Sequence, residues 1–297
     1  MNKILLTGST GFLGKIIYND LIINNIIYTL SRTNSNYNCN LINDVPIFDS
    51  NFDIVIHSAG LAHFIPKSQS EQNLFLNSNI SITRNLLLGL EKIKIKKFVF
   101  VSSVSVYGLI EGIDIKEEFD LKANDPYGKS KIICEDIISK WCERNYIKLT
   151  ILRLPLVVDK NPPGNLKNMI NAIKNRYYFN VNGGLAKKSM VMGSDVSKVI
   201  IEAAEIGGIF NLTDTQHPSF KELSILFSIQ LNRKYILNMP ITIAKFVALI
   251  GDVLGNWFPI NSIKLKKITS TLTFDDTKAK NAFNWNPHKV IEHLKIN

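Results

Sequence analysis

Tyr127 and Lys131 stand four residues apart in Asp125-Pro126-Tyr127-Gly128-Lys129-Ser130-Lys131, where the pattern predicts a helix running through Trp141. On a helix, positions i and i+4 share a face, so phenol and ammonium project together. A free tyrosine titrates near ~10 and is a poor base at neutral pH, but a neighbouring ammonium favours the phenolate and lowers that value. The pair then serves as proton donor or acceptor in a hydroxyl–carbonyl interconversion. Ser103 follows the apolar run Phe98-Val99-Phe100-Val101, which reads as a strand. Its hydroxyl, delivered to the strand's C-terminal end, could bond the reacting oxygen and stabilise developing charge. Tyr-x-x-x-Lys alone recurs by chance; its specificity comes from the elements around it.

The first of these is Thr7-Gly8-Ser9-Thr10-Gly11-Phe12-Leu13-Gly14, between the apolar run Ile4-Leu5-Leu6 and the helical pattern Lys15–Ile22. A strand, a Gly-rich turn and a helix N-terminus form an anion cradle: the glycines permit the sharp turn and close backbone approach, and the helix offers unpaired N–H groups. The spacing is G-x-x-G-x-x-G. A dinucleotide pyrophosphate is the ligand it suits, with Gly8, Thr10, Gly11, Phe12, Leu13 and Gly14 as the expected contacts. The second strand, Ile26–Leu30, ends at Ser31-Arg32, where an acidic residue would grip ribose hydroxyls; Arg32 suits a 2′-phosphate instead. NADP(H) is therefore favoured over NAD(H). Asp44 could reach the adenine amino group or simply shape a turn. Asp53–Gly60 reads as a buried strand ending in small residues, so that a cofactor can pass over Ala59 and Gly60. His57 on that strand reads as structural, and His63, in the loop beyond, as exposed.

Residues 70–91 carry a helical pattern with Leu74, Asn77, Ile80, Leu86, Leu87 and Leu90 near one face. Strands and helices alternate from residue 3 to about 157, which predicts an α/β fold with a Rossmann-type doubly wound parallel sheet. We expect residues 1–160 to form the dinucleotide-binding domain, completed by segments near 190–215, and residues 161–297 to form mainly a smaller substrate-binding subdomain. At 297 residues, 45% hydrophobic and 20% charged, the chain can bury a sizeable core. Its net charge of +10 comes from scattered lysines, without the basic–aromatic stripe of a nucleic-acid binder. Cys39, Cys134 and Cys142 show no metal-ligand spacing, and the N-terminus runs directly into the first strand. No metal, a reduced cytoplasmic setting and no secretion signal are the expectations. Pro240–Ile260 is strongly apolar, yet Lys245 and Asp252 interrupt it; a packed helix is expected, a membrane-apposed patch being the alternative.

These pieces together resemble the extended short-chain dehydrogenase/reductases of the NAD-dependent epimerase/dehydratase group. The resemblance rests on Thr7–Gly14, His57–Gly60, the strand into Ser102-Ser103 with Val106-Tyr107-Gly108, and Pro126–Lys131. It implies Ser103, Tyr127 and Lys131 as catalytic triad, Lys131 also on the nicotinamide ribose, Asn79 behind the site, and Pro155 of Leu152-Arg153-Leu154-Pro155 on the cofactor side. Asn165 resembles the asparagine that binds a nucleotide-sugar pyrophosphate, although a helix cap explains it equally well. Lys187–Met192 resembles the family strand that brings an arginine to the UDP phosphates, with Lys188 in the arginine's place; a lysine holds phosphate only as a point charge. A UDP-sugar substrate and a homodimer are likewise implied.

Dehydratases of this group need an acid–base carboxylate pair directly after the catalytic serine. Val104 and Ser105 stand there, so dehydration is not expected. Arg32 points to NADPH and to net reduction. The pattern, with its Ala59-Gly60-Leu61-Ala62-His63 loop, also resembles reductases of UDP-4-keto-6-deoxy-N-acetylhexoses of surface-polysaccharide synthesis, which implies reduction of the C4 ketone of a UDP-linked 4-keto-6-deoxy-N-acetylhexosamine. Alternatives are a UDP-hexose or UDP-N-acetylhexosamine 4-epimerase with tightly bound NAD, and a non-catalytic dinucleotide-binding protein.

Overall fold

The β-branched and apolar runs near the N-terminus form strands whose two faces are both covered, as a parallel sheet requires. The computed structural model describes residues 1–61, 68–233, 236–255, 258 and 260–296. In order the chain forms β1 (Lys3–Thr7), α1 (Phe12–Leu21), β2 (Ile26–Ser31), β3 (Tyr37–Asn38), β4 (Phe52–His57), α2 (Gln69–Leu90), β5 (Ile95–Ser103) and β6 (Gly112–Ile115). Then come α3 (Pro126–Arg144), β7 (Lys148–Leu154), β8 (Leu156–Val158), α4 (Gly164–Lys174), β9 (Phe179–Val181), β10 (Met190–Met192), α5 (Gly193–Ile206) and β11 (Gly208–Asn211). The chain closes with α6 (Phe220–Gln230), β12 (Leu237–Met239), α7 (Ile241–Leu254), α8 (Ser262–Thr269), β13 (Leu272–Phe274), α9 (Thr277–Ala282) and α10 (Val290–His293).

The main sheet has seven strands in the order β11-β7-β5-β4-β1-β2-β3, all paired in parallel. The fold is therefore α/β with the expected doubly wound sheet. Alternate residues feed opposite cores. Ile4, Leu6, Ile54 and Ile56 pack with Ile17 of α1 and Val196 and Ile200 of α5. Leu5, Val55, Phe98 and Phe100 pack with Leu86 of α2 and Ile138 of α3. The strand order reverses between β1 and β4, and ligands of such sheets bind beyond the C-terminal strand ends at that point. A further core joins α4, β10, α6 and α10 through Leu166, Met190, Phe227 and Val290.

Two local expectations are corrected. Leu74 is 68% exposed and Asn77 is exposed too; the buried face of α2 carries Phe75, Asn79, Ile82, Thr83 and Leu86 instead. The polar pair Asn79 and Thr83 tolerates burial because α3 and the end of β4 satisfy both. The strand expected over Lys187–Met192 is regular only from Met190, and Lys188 forms an isolated bridge with Leu272.

Candidate active site

The Gly-rich turn lies at the switch point, pressed between β1, α1 and the end of β4. Gly8 has φ +75, and a Cβ there would stand 2.7 Å from the Ala59 nitrogen. A Cβ on Gly14 would stand 2.0 Å from the Gly8 carbonyl oxygen. Only glycine permits either contact. The Ala59 N–H donates to Thr7 Oγ1 over 3.2 Å, tying the two strand ends together. α1 begins after an extended Gly11 with no side-chain cap and no acidic residue in its first turn. Its opening N–H groups, those of Phe12 and Leu13 included, have no intrahelical acceptor, and Thr10 and Gly11 are exposed beside them. An uncapped positive helix end on a Gly cradle fits a dinucleotide pyrophosphate.

Behind the turn lies a buried polar chain. Ala59 N–H donates to Thr7; Thr7 Oγ1 meets His57 Nδ1 at 2.8 Å, and His57 Nε2 meets Thr83 Oγ1 at 3.1 Å. Thr83 donates to Cys134 Sγ, whose S–H points to the Asn79 carbonyl. Each group has one donor to give, so the order is self-consistent with a neutral imidazole protonated on Nε2. Burial, reinforced by the charge of Lys131, holds His57 down to about 3. Its structural role thus has a physical content: it couples β1, β4, α2 and α3. Asn79 extends the chain, accepting from Leu61 N–H and donating to the Leu61 carbonyl and to Ser130 Oγ. His63 lies outside the described residues.

Ser103 ends β5, and Tyr127 opens α3 behind an Asp125 cap that accepts from the N–H groups of Tyr127 and Gly128 at 3.1 and 3.0 Å. Ser103 Oγ donates to Ser105 Oγ at 3.1 Å and lies near enough to the Tyr127 phenol to favour its ionised form. Lys131 is buried and donates through Nζ to the Val101 carbonyl at 2.9 Å. The same ammonium sits 4.6 Å from the Phe100 ring centroid and 5.9 Å from that of Tyr127. Gly60 faces it, since a Cβ there would stand 3.8 Å from Nζ. Ser103, Tyr127, Lys131, Gly60 and Asn79 are thus brought together. The electrostatics differ from the expectation. Burial pushes the Tyr127 phenol up, more than Ser103 pulls it down, and Asp125 adds to the rise. Lys131 is itself drawn down to about 8 by burial. In the protein alone the ammonium engages the β5 backbone rather than the phenol, so it does not lower the phenol's pKa.

Other predicted residues are placed as follows. Pro155 follows β7, whose Leu154 is in register with Ser103. Arg32 is exposed just past β2, and Asp44 is exposed in the turn after β3. Asn165 is exposed in the first turn of α4 and makes no cap; the residue before the helix is Pro163, without a side-chain bond. Lys188 is half-buried, and burial together with the charge of Lys267 lowers it to about 8. Neither lysine forms an ion pair with any described residue.

Sequence reading missed a buried ion pair one helical turn beyond Lys131. Arg153 Nη2 meets Glu135 Oε2 at 2.8 Å, and Arg153 Nε donates to Glu135 Oε1 at 3.2 Å. Ser102 also donates to Glu135, while Arg153 reaches Tyr107 and the Glu117 carbonyl. Tyr107 donates to Asn211, whose N–H donates to Glu117. Glu135 continues the Tyr127–Lys131 spacing by four residues, a signal available in the sequence.

Residues 4–212 match the family model described as the NAD dependent epimerase/dehydratase family. The chain belongs to that family. Over 315 residues it is 25% identical to the N-acetyl-alpha-D-glucosaminyl-diphospho-ditrans,octacis-undecaprenol 4-epimerase of Escherichia coli O157:H7, covering 99% of this chain and 93% of that protein. Among epimerase/dehydratase structures, UDP-N-acetylglucosamine 4-epimerase from Bacillus cereus superposes with a TM-score of 0.74 at 20% identity, covering 99% and 96% of the two chains. UDP-glucuronic acid 4-epimerase from Bacillus cereus, in complex with UDP-glucuronic acid and NAD, gives 0.76 at 18% identity, covering 98% and 96%. This family member is accordingly an enzyme of the nicotinamide-dinucleotide type, and the three proteins just named are 4-epimerases.

Proposed function

We propose that the protein epimerises C4 of a hexose or N-acetylhexosamine carried on a diphosphate, with NAD retained through the turnover. The observation that carries this reading is the juxtaposition of Ser103, Tyr127 and the buried Lys131 at the sheet's C-terminal edge, beside the switch point. The 4-epimerase names of the relatives agree with it. So do Val104 and Ser105, which leave no carboxylate pair for dehydration.

When bound, the nicotinamide dinucleotide supplies reversible hydride exchange at C4. The chain's own residues handle the proton. Tyr127 removes it from the C4 hydroxyl and returns it to the ketone oxygen, while Ser103 donates a hydrogen bond to that oxygen. With its phenol held up by burial, Tyr127 is the acid in the protein alone. To act as base it needs the Lys131 ammonium to turn from the Val101 carbonyl toward the phenol once substrate and dinucleotide are bound. Gly8, Thr10, Gly11, Phe12, Leu13 and Gly14 hold the pyrophosphate at α1, and Ala59, Gly60, Lys131 and Pro155 line the path of the nicotinamide half. Lys188 and Asn165 contact the diphosphate of the substrate.

Purified protein should carry NAD and interconvert UDP-N-acetylglucosamine and UDP-N-acetylgalactosamine without added cofactor. Tyr127→Phe should lower turnover by at least ~100-fold while NAD is retained. Exposed Arg32, with no acidic residue at the end of β2, favours a second reading, an NADPH-dependent C4 ketoreductase. Stoichiometric NADPH oxidation by a UDP-4-keto-6-deoxy sugar, with no epimerisation, would establish that reading and overturn the first.

A further inference from the structure

α7 is built inside out. In a helix on a water-soluble protein, large apolar side chains face the core and polar ones face solvent. Here the packed face carries Ala244, Ala248 and Gly251, and Gly251 lies so close to the Ile260 carbonyl that a Cβ would stand 1.8 Å from its oxygen. The outer face carries Ile243, Phe246, Leu249, Ile250, Val253 and Leu254. Phe246 is 67% exposed and Val253 86% exposed. At 100° per residue these six fall within one continuous arc of the helix, and no charged residue interrupts it.

Lysines stand near the arc, one on its border and others on the neighbouring helix. Lys245 is exposed on the border of the apolar face, and α8, packed against α7, exposes Lys264, Lys266, Lys267 and the apolar Ile263. Two carboxylates share this region and offset part of the lysine charge without cancelling it: Asp252, which accepts from Ser262, and Glu111, which pairs with Lys266. The surface therefore combines an apolar stripe with a cationic rim, on a chain of net charge +10. Those are the two attractions of an interfacial helix for an anionic bilayer. A second copy meets the apolar requirement alone, because it would set like charges against each other. Lys188 of the candidate substrate site lies near these lysines: it bridges Leu272, three residues past the end of α8.

We propose that the exposed face of α7, with the α8 lysines beside it, docks the protein on an anionic membrane surface. Resting on the epimerase reading, the consequence is that its substrate is a glycosyl diphosphate carried on a membrane-embedded lipid rather than a freely diffusing nucleotide sugar alone.

The test is flotation of the full chain with vesicles of phosphatidylglycerol and phosphatidylethanolamine, against vesicles of phosphatidylcholine alone. We expect the protein to float with the anionic vesicles, and Phe246→Asp and Val253→Asp each to weaken binding by about tenfold or more. Both variants keep the wild-type melting temperature and act on UDP-N-acetylglucosamine as the wild type does, because both side chains are outside the packed faces. They lose turnover of a polyprenyl-diphospho-N-acetylglucosamine in vesicles. Absence of flotation, or flotation that the variants leave unchanged, overturns the proposal. So does a wild-type dimer that Val253→Asp dissociates without any vesicle binding, which assigns the face to a second copy. If the epimerase reading fails instead, no sugar is turned over on either carrier, while flotation and its loss in the variants stand.

Discussion

Replacing His57 with glutamine should remove a specific part of the protein's acid sensitivity. The imidazole is fully buried between Thr7 and Thr83, stacked on Phe100 at 5.5 Å, and held down to about 3 from its ordinary 6.5. The unfolded chain binds a proton at this histidine below 6.5, whereas the folded chain does not until about 3. Stability is therefore complete above 6.5 and falls as pH drops through the window from 6.5 to about 3. The slope is about 1.4 kcal/mol per pH unit, so a fall from neutral pH to about pH 4.5 costs about 2.5 kcal/mol through this residue alone. Urea unfolding of wild type and His57→Gln at both pH values measures it. Glutamine also changes hydrogen bonds, but that cost is the same at each pH and cancels in the difference. We expect the wild type to lose about 2.5 kcal/mol more than the variant on acidification. Equal losses would refute the buried neutral histidine, and with it the polar chain that joins Thr7 and Ala59 at the switch point to α2 and α3.

Two further outcomes follow from close contacts. Glu135→Gln leaves the Arg153 charge buried without its counter-ion and should destabilise by about 3–5 kcal/mol in thermal or urea unfolding. The double variant Glu135→Met with Arg153→Met should recover most of that; a double variant as unstable as the single one would show that charge pairing is not the cause. Gly14→Ala drives a Cβ to 2.0 Å from the Gly8 oxygen, so α1 must shift away from β1. We expect a loss of about 1–3 kcal/mol in stability and protein purified without dinucleotide; wild-type NAD content would refute the close packing of turn and helix.

Local chemistry was readable in the sequence wherever a short spacing sufficed. The glycines of the first turn, the capped start of α3 at Asp125, the four-residue step from Tyr127 to Lys131 and the strand delivering Ser103 are all consequences of helical or strand period, which neighbours in sequence determine. The alternation of elements likewise carried the doubly wound sheet. What packing decides was out of reach. Leu74 and Asn79 both suit a helix, and only the presence of α3 and β4 makes the polar Asn79 the buried one. Lys131 is near enough in sequence to tune Tyr127, yet desolvation acts on each separately, raising the phenol and lowering the ammonium. Arg153 and Glu135 meet across α3 and β7, and α7 turns its large side chains outward because Ala244, Ala248 and Gly251 allow a closer approach on the other face. The sequence by itself determined which groups are spaced for chemistry; the tertiary structure alone decided their charge state, their partners and which surfaces meet water, because those depend on through-space burial rather than on order along the chain.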